Sequence, residues 1–102
     1  MKLELSEALR ALRMADKDIA ALDYIFEAAV VADSIVGFHA QQAVEKSLKA
    51  VLHACSAGFG RTHDLTQLCE LVSAVGLKLP LPMETIAQLT PYAVTLRYDE
   101  TD

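Results

Sequence analysis

Five polar side chains recur at short intervals along one stretch of the chain: His39, Gln42, Lys46, Lys49 and His53. Steps of three, four, three and four residues put them on one face if the stretch is helical. Ammonium groups, imidazoles and an amide are the groups that hold phosphate oxygens, lysine as a point charge and the others through hydrogen bonds. The stripe is therefore a candidate surface for a nucleotide, for RNA or for a protein partner. Arg61, His63 and Arg97 are further cationic or imidazole groups of the same kind. For Arg61 and His63 an anion role draws on the helix N-terminus that follows them, whereas Arg97 has carboxylates such as Glu45 or Asp99 as its expected partners. The bland alternative for the stripe is a solvated helix face with Glu45 and Lys49 as an ordinary i,i+4 pair.

Other chemistry finds little support. His53, Cys55, His63 and Cys69 contain no ligand pair at a recognised zinc spacing, and there is no Gly-rich phosphate loop or nucleophile elbow. No cofactor is expected. Phe38, Phe59, Tyr92 and Tyr98 are too scattered for a base-stacking platform and read as packing. The net charge of −5 argues against non-specific duplex binding by the whole surface. Charges interrupt every apolar run before the ~18 residues that a membrane span needs. Met1-Lys2-Leu3-Glu4-Leu5 lacks the apolar core of a signal peptide, so the expected location is the cytoplasm. Cys55 and Cys69 fall at apolar-periodic positions, where free cysteine behaves as a small hydrophobe.

The element that must carry the stripe is a long helix from about Ser34 to Ala57, free of proline and rich in helix formers. Its other side is an apolar arc of small residues, among them Ala40, Ala43, Val44, Ser47, Leu48 and Val51. A first helix from Ser6, as N-cap, to about Glu27 offers the counterpart. Leu5, Leu12, Ile19 and Phe26 recur every seven residues, and Ala8, Ala15, Leu22 and Ala29 follow at the same spacing. The two should form an antiparallel hairpin, with a turn just before Asp33 as N-cap. Gly37, near the second helix start, weakens it by about 1 kcal/mol relative to alanine, and a close backbone contact is one reason for it.

Gly58-Phe59-Gly60 is expected to stop that helix. Asp64 then caps a third, with Gln67 at the capping-box position and Leu65, Leu68, Cys69, Val72 and Val75 inward. Gly76 ends it, and Leu79-Pro80-Leu81-Pro82 forms a stiff connector. A fourth helix is predicted from Met83 to Tyr98, kinked by Pro91, with Ile86, Leu89, Ala93 and Leu96 inward. The acidic end Asp99-Glu100-Thr101-Asp102 follows. One domain spanning residues 1–102 is the expectation. The hydrophobic fraction of 53% is high enough to suggest that a partner or a second copy covers some apolar surface.

Three blocks in order resemble the HEPN domain family, named for its occurrence in higher eukaryotes and prokaryotes. They are Phe38-His39-Ala40-Gln41-Gln42-Ala43-Val44-Glu45-Lys46-Ser47-Leu48-Lys49-Ala50, Arg61-Thr62-His63-Asp64-Leu65, and Leu89-Thr90-Pro91-Tyr92-Ala93-Val94 with Leu96-Arg97-Tyr98. The resemblance implies an all-α, up-and-down antiparallel bundle of four main helices here, short of the fifth that members usually add after the Arg-Tyr pair. It also implies a role near nucleotides or RNA, a homodimer, and a small nucleotidyltransferase protein as partner in a toxin–antitoxin-like pair. Toxic members are ribonucleases with an Arg and a His four to six residues apart. Here Arg10, Arg13, Arg61 and Arg97 have no such His, and the position reached from Arg97 is Asp102.

The resulting expectation is a non-catalytic HEPN-type module that binds nucleotide or RNA weakly. The alternatives are a ribonuclease toxin whose C-terminal catalytic segment is absent from the chain, and a plain dimerisation protein.

Overall fold

Alanine decides how the first two helices meet. The computed structural model describes residues 5–26 and 33–93, which form α1 (Leu5–Phe26), α2 (Asp33–Ala54), α3 (Leu65–Ala74) and α4 (Met83–Ala87), with no strand among the described residues. On α1, Ala8 and Ala15 are buried. They face the small side of α2, where Ala43 and Ala50 are buried as well. Side chains this short let two 22-residue helices lie close along most of their length as an antiparallel hairpin.

The other heptad row of α1 does not join that seam, contrary to expectation. Leu5, Leu12 and Ile19 are 55%, 44% and 46% exposed, while Asp18 is buried beside the alanines. The helix is turned so that the Asp18 carboxylate meets two donors on α2, and this carries the leucine row to the edge of the interface.

A second core lies beyond the hairpin, where α2 meets α3 and α4. Leu48, Leu52, Leu65, Leu68, Cys69, Val72 and Ile86 are buried there, with Phe59, Leu79 and Leu89 packed around them. The large aliphatic side chains are concentrated here, and each fully buried leucine contributes about 1.5–3 kcal/mol.

Helix ends follow local backbone chemistry. α2 stops at Ala54, before the glycines expected to stop it, because Ser56 adopts the left-handed region at φ 55°. The N–H of Ala57 donates to Leu52 O at 2.8 Å and that of Ser56 to His53 O at 3.0 Å, which together make a Schellman cap. The same pattern ends α3 at Gly76, as expected, with φ 91° and a 3.0 Å bond to Ser73 O.

Asp64 caps α3, its Oδ1 accepting from Thr66 N at 3.0 Å. The return bond comes from an unexpected side: Asp64 N donates to Thr62 Oγ1 at 3.0 Å, and Gln67 is exposed. The predicted fourth helix is interrupted where its kink was expected: helical backbone resumes at Tyr92 and Ala93, and its further course lies outside the described residues. A proline ring clashes with the carbonyl four residues back, here Ala87, and α4 ends at that residue. The chain continues to Ala93 in tighter i to i−3 turns, through bonds such as Thr90 N to Ala87 O at 3.0 Å. Ile86 and Ala93 are buried as expected, and the Leu96 and Tyr98 positions lie outside the described residues.

Candidate functional site

The stripe on α2 resolves into two carboxylate-centred clusters. In the first, Asp18 reaches across from α1, and its side chain is only 10% exposed. Lys46 Nζ donates to its Oδ2 at 2.6 Å, and His39 Nδ1 lies 3.0 Å from its Oδ1. Charge-assisted hydrogen bonds of this length are roughly twice as strong as neutral ones. The neighbouring Phe38 ring meets the His39 ring edge-on at 5.4 Å.

Glu45 is the centre of the second cluster, with its side chain 5% exposed. Gln41 Nε2 donates to its Oε1 at 2.7 Å, and Lys49 Nζ to its Oε2 at 3.0 Å. His63, in the segment before α3, brings its Nδ1 to 2.9 and 3.1 Å from the two oxygens. Gln41 is fully buried and takes a further bond on its own oxygen from Gln42 Nε2 at 2.7 Å. Burial alone would raise the Glu45 pKa. Hydrogen bonds from Gln41, Lys49 and His63, with the positive charge of Lys49, outweigh it and hold the carboxyl below its ordinary value. An ionised carboxylate only accepts, so the proton in the His63 bond sits on Nδ1 and the outward nitrogen is Nε2. Among the described residues no buried side-chain nitrogen or oxygen lacks a partner.

Of the residues singled out from the sequence, Lys46 and His39 therefore belong to Asp18, Lys49 and His63 to Glu45, and Gln42 to Gln41. His53 stands apart, edge-on to the Phe59 ring at 4.9 Å, and Lys49 Nζ lies 5.7 Å from the same ring. Arg61 is exposed, and Arg97 lies outside the described residues. The stripe is thus not a bare cationic surface, because two carboxylates neutralise its two lysines. The Glu45–Lys49 pair read from the sequence is present, but on a nearly buried carboxylate instead of a solvated face.

Asp18, Gln41 and the central role of Glu45 were missed, although a signal for them exists. Gln41, Glu45, Leu48 and Leu52 follow one another at steps of four, three and four, so two polar residues occupy positions that belong to the core line of α2. Asp18 follows Ala15 by three residues and shares its face. Polar groups in core register must bring their partners with them.

Two concavities flank these clusters. A cavity of about 430 Å³ is lined by His63, Asp64, Thr66, Thr90 and Pro91 with Ala87 and Ala93. A groove of about 500 Å³ runs between α1 and α2 under Pro80 and Leu81, with Ile19, Leu22, Val44 and Leu48 among its walls. The hydroxyl of Ser47, which also lines it, is already spent on Ala43 O at 2.7 Å. No three His, Cys, Asp or Glu side chains among the described residues converge as a metal site would require. Cys55 and Cys69 are free thiols, and burial pushes the Cys69 thiol pKa up. No described helix is long and apolar enough to cross a membrane.

No curated protein and no solved structure matches the chain. The family model of the HEPN domain matches residues 8–102. That span takes in the α1–α2 hairpin, both carboxylate clusters and the capped third helix, and the chain belongs to the HEPN domain family.

Proposed function

We propose that this chain is a non-catalytic HEPN module that acts by association. It pairs with a second copy of itself and with a small nucleotidyltransferase protein, as one half of a toxin–antitoxin-like pair, and touches nucleotide or RNA only weakly. The observation that carries the reading is the row Leu5, Leu9, Leu12 and Ile19 on α1, whose members are between 44% and 55% exposed. Contiguous apolar patches on a soluble surface mark interaction sites. Ile19 belongs both to this row and to the apolar groove, so a ridge and a trough lie side by side on one face.

Weak nucleotide contact fits the electrostatics, since Lys46 and Lys49 are committed to Asp18 and Glu45. The exposed Arg61 and the outer edge of His63 remain for a ligand. Non-catalytic status is supported by Arg10, Arg13 and Arg61, which have no His at ribonuclease spacing, and by Asp102, which stands where the shortest such spacing from Arg97 would place one. The imidazoles of His39 and His63 also each serve a carboxylate.

Sedimentation equilibrium tests the association. The wild-type chain is expected to be a dimer, and Leu9→Glu with Leu12→Glu a monomer of unchanged helicity. Co-expression with a small nucleotidyltransferase encoded beside it should yield a complex. A wild-type monomer that retains no nucleotidyltransferase would overturn the reading, and so would RNA cleavage by the purified chain.

A further inference from the structure

We infer that the cavity beside His63 takes the base of a nucleotide by its N–H groups and keeps phosphate outside. The inference rests on the nucleotide-contacting part of the function proposed above and names what that contact recognises. A volume of about 430 Å³ lies in the range of small-molecule sites, about 300–1,000 Å³. Ala87, Pro91 and Ala93 supply an apolar wall suited to the face of a flat ring.

The polar groups opposite are predominantly acceptors. His63 has its Nδ1 committed to Glu45, so the nitrogen left to a ligand is Nε2, which accepts in the neutral ring. Asp64 uses Oδ1 to cap Thr66 N and keeps its second oxygen. Thr90 Oγ1 accepts from Leu65 N at 3.2 Å and retains a proton to donate, and Thr66 also lines the cavity. The Asp64 carboxylate in the lining repels an anion. Phosphate is therefore excluded from the interior, while an exocyclic amine, as on adenine, finds two or more acceptors around an apolar face.

The fixed orientation of His63 is what makes this wall selective. Its ring is held by a carboxylate that is itself buried and bound by Gln41 and Lys49, so Nε2 is positioned before a ligand arrives.

The test is an NMR titration of the full chain with adenosine, with purine riboside, which has the same ring without the amine, and with inorganic phosphate. Adenosine is expected to move the amides of His63, Thr66 and Thr90 saturably, and purine riboside to bind about tenfold more weakly for the lost hydrogen bonds. Phosphate should leave these amides unmoved. Thr66→Val, an isosteric change on α3, should weaken adenosine about tenfold with the melting temperature unchanged. Equal binding of the two nucleosides, saturable movement of these amides by phosphate, or no response to millimolar adenosine would each overturn the inference. Sedimentation of the same samples reads association separately: a dimer that ignores adenosine removes only this inference, and a monomer that binds it removes only the association.

Discussion

The ring of Tyr92 lies on the Cα of Gly37. A Cβ built on that glycine would stand 2.3 Å from Tyr92 Cδ1 and 2.6 Å from Cγ, closer than any side chain tolerates. The contact ties the turn after α4 to the first turns of α2, and it accounts for a glycine in a helix that would otherwise favour alanine.

Two effects oppose one another in Gly37→Ala. Helix propensity favours alanine by about 1 kcal/mol, and the clash with a ring fixed near its root costs about 1–3 kcal/mol. A net loss of stability is expected in urea unfolding. In the background of Tyr92→Ala the same substitution should become stabilising, and a double-mutant cycle showing no coupling would remove the explanation.

Glu45 should make the protein sensitive to acid. Its folded pKa is lowered, so the stability it contributes is fully present above the unfolded value, for which 4.5 is the reference. It is lost as pH falls through the lowered folded value. Unfolding midpoints measured from about pH 7 to pH 3 should decline at the acid end in the wild type, and less so in Glu45→Gln. At neutral pH, Glu45→Ala strands Gln41, Lys49 and His63 and should cost on the order of 3 kcal/mol.

Asp18 and Lys46 should behave as one unit. Asp18→Asn removes the charge from two hydrogen bonds across the α1–α2 seam and is expected to cost about 2 kcal/mol. Lys46→Met alone leaves the nearly buried carboxylate with His39 only. The double variant should lose less than the sum, and hydrogen exchange on α1 should quicken most in Asp18→Asn. Strict additivity would mean that the 2.6 Å contact carries no coupling.

Gly76 and Gly58 should separate by their backbone. Gly76 has φ 91°, so Gly76→Ala forces a side chain into the left-handed region and should cost about 1–2 kcal/mol. Gly58 has no such φ and nothing within 4 Å of a Cβ, so Gly58→Ala should be neutral or stabilise by about 0.4–1 kcal/mol. Thermal melts of the two variants decide the matter.

The elements themselves were readable because each had a local cause. The third helix announces itself through Asp64 before an apolar face and Gly76 after it, and four of the five residues its periodicity names are buried, the fifth, Val75, being the half-buried C-cap. The hairpin followed from two small-residue faces. The orientation of α1 did not, because a leucine row and an alanine row at the same spacing are equivalent until the partner of Asp18 is known. The end of α2 was misplaced for a related reason: serine adopts a left-handed conformation seldom enough that the glycines nearby drew the assignment. At the site, the residue types were visible and the pairings were not. Lys46 and Lys49 look alike as cations on one helix, yet one answers to a carboxylate 28 residues away and the other to one four residues away.

The seam between α1 and α2 is built largely from alanine, and alanine offers little to tell one alignment from another. A slip of the hairpin by one helical turn, about 5.4 Å, would still find small residues opposite small residues. It would also carry Asp18 away from both His39 and Lys46 and leave a carboxylate sealed against methyl groups. The acidic side chain in the seam thus acts as a register pin: the alanines let the helices approach, and Asp18 fixes where along their length they stop.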